Sequence, residues 1–157
     1  GRLAAVHALR EGGEKRPPAP GEQRQPLWPA PWFGSISHCE NSALAVVSSY
    51  PIVIDIERCL TPALAAELES SIINAAEKLL LAASGLSFEL ALTLAFSAKE
   101  SGFKALPLPR QTGMDFLRMR ITSIKEGMLR MQIDDERVEV HWLQSDGRVI
   151  TLCGKRK

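Results

Sequence analysis

From Phe116 to Cys153 the chain follows a period of two, broken by turn-forming triplets. Leu117, Met119 and Ile121 alternate with polar residues, Lys-Glu-Gly intervenes, and Leu129, Met131 and Ile133 alternate again. Val138, Val140 and Trp142 continue the pattern, and Ser-Asp-Gly leads into Val149 to Cys153. Side chains two apart share a face of a strand, so each run presents one apolar face, and a helix could not place these residues on one side. Short polar turns containing glycine between such runs specify hairpins. The tail is therefore predicted to be an antiparallel meander.

The segment before it has the other period. Thr61-Pro62 supplies an N-cap and a first-turn proline, after which Leu64, Leu68, Ile72, Ala75 and Leu79 recur at helical spacing until Gly85. A second helix is predicted from about Ser87 to Leu106, ended by Pro107 and Pro109. Helices followed by hairpins indicate an α+β fold with antiparallel sheets. Upstream, Gly34 to His38, Ala43 to Ser48 and Ile52 to Ile56 read as strands, and Arg2 to Arg10 as a helix. The stretch from Gly12 to Pro31 holds six prolines and no periodicity, so a loop or flap is expected there. Gly1 already lies at the start of the first helix, so a leading segment is expected upstream.

The 157 residues are 45% hydrophobic and 24% charged, which suits one packed domain or two small halves sharing a core and excludes a disordered chain. Net charge is +1 overall but uneven: residues 1–38 carry +2, residues 39–90 carry −5 and residues 91–157 carry +4. An acidic middle between basic flanks would suit a cation site bordered by phosphate-binding groups, and ordinary variation among solvated faces would give the same numbers. Cys39, Cys59 and Cys153 show no metal-ligand spacing and read as reduced thiols of a cytoplasmic protein. No run approaches the ~18 consecutive apolar residues of a membrane span.

Three places could carry chemistry. In Ile52-Val-Ile-Asp55-Ile-Glu57 the two carboxylates lie on one strand face, about 6.6 Å apart along the chain, and a hard divalent cation would relieve their repulsion. Taken alone, the pattern is also that of a half-buried strand with a polar outer face. In Phe96-Ser-Ala-Lys99-Glu100-Ser-Gly-Phe103-Lys104, the residues Glu89, Thr93, Ser97, Glu100 and Lys104 form a polar stripe along a helix otherwise rich in Leu, Ala and Phe. Glu100 and Lys104 present opposite charges one turn apart. An exposed pair of this kind, worth about 0.5 kcal/mol, would look the same. In Trp28-Pro29-Ala-Pro31-Trp32-Phe33-Gly34-Ser35-Ile36-Ser37-His38, hydroxyls and an imidazole follow a glycine and could donate to phosphate oxygens, or the stretch is a packed aromatic turn.

Taken in order, GSISH, then IDIE about twenty residues on, then FSAKESGFKAL about forty further, resemble the 4′-phosphopantetheinyl transferase superfamily, in its bacterial siderophore and nonribosomal-peptide type. The opening GRLAAVHAL and the PLWP before GSISHC resemble the same type. The resemblance implies two pseudo-twofold-related α+β halves, residues 1–60 and 61–157, with the active site between them, and a monomer. It implies transfer of the phosphopantetheine arm of coenzyme A, the substrate, to a serine of an acyl or peptidyl carrier protein, releasing 3′,5′-ADP. Asp55, Glu57 and Glu100 match the Mg2+ ligands. Glu100 and Lys104 match the catalytic pair, as proton acceptor and as stabiliser of the departing phosphate. Arg2, Arg24, Ser37, His38, Lys99 and Lys104 match positions toward the coenzyme A phosphates. Val53 stands where relatives have glycine, Pro31 replaces a glycine after the Trp-Pro pair, and Gln23 replaces a lysine.

Two other classes fit parts of the chain. One is a non-catalytic coenzyme A or carrier-protein binding module of the same fold, which the retained Asp55, Glu57, Glu100 and Lys104 disfavour. The other is a metal-free interaction or nucleic-acid module using the +4 C-terminal third. There the basic residues are interleaved with Asp and Glu and form no aromatic-basic stripe, so no nucleic-acid partner is expected.

Overall fold

The computed structural model describes residues 2–20, 26–40 and 42–154. The period-two tail forms four strands, β6 (Met119–Lys125), β7 (Met128–Ile133), β8 (Glu136–Ser145) and β9 (Arg148–Gly154). Each pairs antiparallel with the next. One face is closed to solvent at Met119, Ile121, Leu129, Met131, Ile133, Val138, Val140 and Val149. The β8–β9 turn places Asp146 at φ 51° and Gly147 at φ 72°, the paired left-handed geometry of a tight two-residue hairpin turn. Leu117 does not join the alternation. It lies in a 3-10 turn, Phe116–Arg118, and is 44% exposed.

A fifth strand, β5 (Ile52–Arg58), completes this sheet from far upstream. It pairs antiparallel with β9, giving the order β5-β9-β8-β7-β6. Ile52 through Ile56 are all buried, so β5 is covered on both faces instead of carrying a solvated polar face.

Three helices follow, α2 (Pro62–Ile72), α3 (Ala75–Ala83) and α4 (Phe88–Lys104): α4 and α3 pack on the sheet, and α2 packs on α4. The single helix expected over residues 61–85 is two helices. Asn74 interrupts it with a capping box: its side chain accepts from the Glu77 N–H, and the Glu77 carboxylate accepts from the Asn74 N–H. The restart also changes which side faces inward. Leu64 and Leu79 of the expected apolar line are 44% and 74% exposed, whereas Glu77 is 1% exposed. The caps at Thr61 and Ser87 form as their sequence requires, accepting from Leu64 N and Leu90 N.

The N-terminal part is a hairpin, β3 (Phe33–Cys39) and β4 (Ser42–Ser48), with α1 (Arg2–Glu11) packed on it through buried Ala5 and Leu9. The proline-rich stretch contains one two-residue ladder, β1 (Ala19–Pro20) with β2 (Pro26–Leu27), and a cis Ala30–Pro31 bond. Its Trp28 ring packs against Gly34, where an added Cβ would clash with ring atoms, so glycine fits there without displacing the indole. β3 docks on the free edge of β5 through side chains. Ser35 Oγ accepts from Ile54 N at 3.0 Å and Ser37 Oγ accepts from Ile56 N at 3.1 Å.

Candidate active site

In β5, alternation sets Val53, Asp55 and Glu57 on one face. Most of that face is covered: Val53 and Asp55 are buried and Glu57 is half-buried. α4 lies across β5 and β9, and the polar stripe of α4 is the side laid on it. Thr93 and Ser97 are 1% and 0% exposed. Thr93 accepts from Leu60 N at 2.9 Å and donates to Glu89 O at 2.6 Å. Buried hydroxyls here replace the solvent that an isolated amphipathic helix would need for its polar face.

Four charged groups gather where the stripe passes Asp55 and Glu57. Asp55, only 4% exposed, accepts from Ser97 Oγ on Oδ2 at 2.8 Å. Lys104 Nζ lies 3.9 Å from Asp55 Oδ1 and 3.8 Å from Glu100 Oε2. One ammonium thus faces three carboxyl groups. Burial, then the Asp55 charge, a hydrogen bond with Asp55 and the Glu100 charge push Glu57 up to about 7, and Lys104 opposes them. Burial also raises Asp55, against the Ser97 hydrogen bond, the Lys104 charge and the hydrogen bond with Glu57. Glu100 is raised by burial first, with Lys104 pulling the other way and Asp55 adding to the rise.

The donor set has the chemistry of a hard-cation site: carboxylate oxygens, an excess of negative charge, and burial that makes the excess costly. Among the described residues, no group of three His, Cys, Asp or Glu side chains is arranged to hold a metal ion as it stands. In this arrangement the Lys104 ammonium offsets the repulsion, and the raised proton affinity of Glu57 reflects what remains of it. A divalent cation would offset it more fully.

The remaining expected site residues divide. Ser37 is tied to the backbone of β5 at Ile56, between Asp55 and Glu57, and accepts there, which leaves its own hydrogen for another acceptor. His38 is the next residue on β3 and is exposed. Arg24 and the side chain of Arg2 lie outside the described residues.

Lys99 is a correction. It is 0% exposed and sits inside the fold, with Nζ 2.8 Å from Glu77 Oε2 and donating to Ile72 O at 2.5 Å and Phe116 O at 2.9 Å. All three ammonium hydrogens are engaged, so none is available to a phosphate. Burial lowers its affinity for a proton, and Glu77 opposes the effect. Glu77 in turn accepts from Asn74 N and from Ile121 N, both at 3.0 Å. Lys99 therefore clamps the α2–α3 break, the 3-10 turn before β6 and β6 itself. The Asn-x-x-Glu spacing of residues 74–77 is the sequence signal that could have marked Glu77 as an inward cap.

Arg58, the residue after Glu57, makes an ion pair with the β3–β4 turn through one nitrogen: Nη1 donates to both carboxylate oxygens of Glu40 at 2.6 Å each.

Comparison with known proteins gives the family. Residues 1–48 match the 4′-phosphopantetheinyl transferase N-terminal domain, and residues 51–153 match the 4′-phosphopantetheinyl transferase superfamily. Enterobactin synthase component D of Escherichia coli (strain K12) is 53% identical over 153 residues, which cover 98% of this chain and 73% of that protein. The protein of the same description from Salmonella typhimurium is 47% identical over 160 residues, covering 97% of this chain and 68% of the relative. With both parts of the chain matched in order, and a carboxylate-bearing strand facing a Glu-Lys helix within the second, the chain belongs to the 4′-phosphopantetheinyl transferase superfamily, enzymes that move the phosphopantetheine arm of coenzyme A onto carrier proteins.

Proposed function

We propose that this enzyme modifies a serine of an acyl or peptidyl carrier protein in siderophore synthesis, with Asp55, Glu57 and Glu100 holding Mg2+ and Lys104 facing the coenzyme A pyrophosphate. The observation that carries this is the meeting of three buried or half-buried carboxyl groups with one lysine where α4 crosses β5. The siderophore context is carried by the relatives, whose descriptions are enterobactin synthase component D.

Bound Mg2+ would supply positive charge beside the pyrophosphate and orient it for in-line displacement. Glu100, directly or through a water, takes the proton of the carrier serine. The serine oxygen bonds to the β-phosphorus, the bond from that phosphorus to the bridging oxygen breaks, and 3′,5′-ADP departs. Lys104 is placed to neutralise the charge that builds on the departing phosphate. Ser37 and His38 donate to the nucleotide phosphates, with Arg2 and Arg24 completing that side. The division into halves 1–60 and 61–157 is kept in this reading, with β5 as the strand shared by both. The enzyme acts as a monomer in the cytoplasm. Among the described residues, no helix is long and apolar enough to cross a membrane.

The test is incubation with coenzyme A, Mg2+ and an apo carrier protein, followed by mass spectrometry of the carrier. The expected result is a phosphopantetheine mass gain on one serine that EDTA abolishes. No gain with any siderophore-pathway carrier would overturn the substrate assignment, and gain undiminished by EDTA would overturn the metal.

A further inference from the structure

Behind Asp55 lies a group of buried hydroxyls that the transfer chemistry does not use. Ser97 and Ser101 of α4 and Thr151 of β9 are each 0% exposed. Thr151 stands directly opposite Asp55 in the β5–β9 pairing. Ser97 Oγ is 2.8 Å from Asp55 Oδ2 and 2.8 Å from Thr151 Oγ1. Thr151 Oγ1 is also 3.0 Å from Ser101 Oγ and 3.2 Å from Ser97 O, and Ser101 Oγ donates to Ala98 O at 3.2 Å.

Counting hydrogens orders the network, because each hydroxyl has one to give. An ionised Asp55 can only accept, so the Ser97 hydrogen goes to Oδ2. Thr151 has one hydrogen and three oxygens within its reach, Ser97 Oγ at 2.8 Å, Ser101 Oγ at 3.0 Å and Ser97 O at 3.2 Å; the nearest, Ser97 Oγ, gives its own hydrogen to Asp55 and accepts that of Thr151. The Ser101 hydrogen is directed to Ala98 O. Two hydroxyls from different elements thus point the same way and end on one carboxylate oxygen, each polarising the next. The other oxygen, Oδ1, is left facing Lys104. Placing polar side chains in this interior is unfavourable unless they are paired, and their pairing converges on Asp55.

We propose that Ser97 and Thr151 form a two-hydroxyl relay that holds the Asp55 carboxylate in a single orientation, Oδ2 inward and Oδ1 toward the site, which makes them positioning residues for the divalent cation. The proposal rests on the assignment of Asp55 as a cation ligand. Groups that orient a ligand from behind commonly set metal affinity nearly as strongly as the ligand does.

The test uses the whole chain with coenzyme A and Mn2+ as probe, free Mn2+ being followed by electron paramagnetic resonance. Ser97→Ala and Thr151→Val should each weaken Mn2+ binding about tenfold or more, while Thr151→Ser, which keeps the hydroxyl, should stay within about twofold of wild type. Circular dichroism reports folding, and if Thr151→Val fails to fold, Ser97→Ala, which removes a single oxygen, carries the test. Folded Ser97→Ala and Thr151→Val with wild-type Mn2+ affinity would overturn the proposal, since a purely structural role changes melting temperature and not metal affinity. A wild-type protein that takes up no Mn2+ would instead overturn the cation assignment. The relay is then judged on coenzyme A affinity by calorimetry: Ser97→Ala adding no loss to Asp55→Ala supports it, and independent losses overturn it.

Discussion

The Lys99 ammonium lies 2.8 Å from the Glu77 carboxylate with both side chains shut off from solvent, while the adjacent Glu100 is turned toward Lys104 and the Asp55 site. Successive residues of a helix point about 100° apart, so one motif serves two unrelated ends. Lys99 secures the packing of α4 on its neighbours, and Glu100 works where α4 crosses β5.

Removing the Lys99 charge should therefore cost stability and leave ligand binding alone. Lys99→Met strands a buried carboxylate and should lower unfolding free energy by about 3–5 kcal/mol. Combined with Glu77→Gln, the loss should fall well short of the sum of the two single losses, as expected for groups in direct contact. Denaturant unfolding measures both. Coenzyme A affinity of folded Lys99→Met should match wild type, and a large drop would return Lys99 to the phosphate site.

Glu57 gives the cation-free protein a pH dependence of known sign. Its carboxyl is raised to about 7, above the ordinary value of 4.5, chiefly by burial and then by Asp55. The folded state therefore holds this proton more tightly than the unfolded chain. The stabilising contribution is complete below about pH 4.5 and is lost as pH rises through 7. Melting temperatures in EDTA should fall over that window, Glu57→Gln should flatten the fall, and Mg2+ at pH 8 should reverse it.

Glu100→Gln and Lys104→Met separate proton transfer from phosphate neutralisation. Glu100→Gln should cut carrier modification by about 10²–10⁴-fold with the fold intact, the ordinary span for loss of a positioned base. Lys104 is half exposed, so Lys104→Met should change stability by less than about 1 kcal/mol while weakening coenzyme A binding. Full carrier modification by Glu100→Gln would remove Glu100 from its role.

Ser35 and Ser37 make the same contact with β5, one residue pair apart, and only Ser37 is assigned a ligand. Each Ser→Ala removes the acceptor for a β5 N–H and should cost about 1 kcal/mol. Coenzyme A affinity, read by calorimetry, should drop for Ser37→Ala alone. Equal drops for both would mean that the serines act only by docking β3 on β5.

Much of the site could be read as residues but not as a place. Asp55 and Glu57 two apart, and Glu100 and Lys104 four apart, share faces by local geometry alone. The two pairs meet only because β5 adds to β9, a strand nearly a hundred residues later. The polar stripe of α4 is the clearest case. Periodicity places Thr93, Ser97, Glu100 and Lys104 on one side, as it would for a helix facing water. Here that side faces Asp55, and no spacing along α4 carries this information.

By itself, the sequence determined what short-range chemistry controls: the hairpin turns, the caps at Thr61 and Ser87, the two-residue alternation and the residue types of the site. The tertiary structure decided the rest. It ended one expected helix at Asn74, turned Glu77 inward to meet Lys99, buried β5 on both faces and set Thr151 behind Asp55. The physical reason is range. Turns, caps and alternation are settled by atoms within a few residues, whereas the partner of a buried charge or an open strand edge is settled only when distant segments pack and every buried polar group must find its bond.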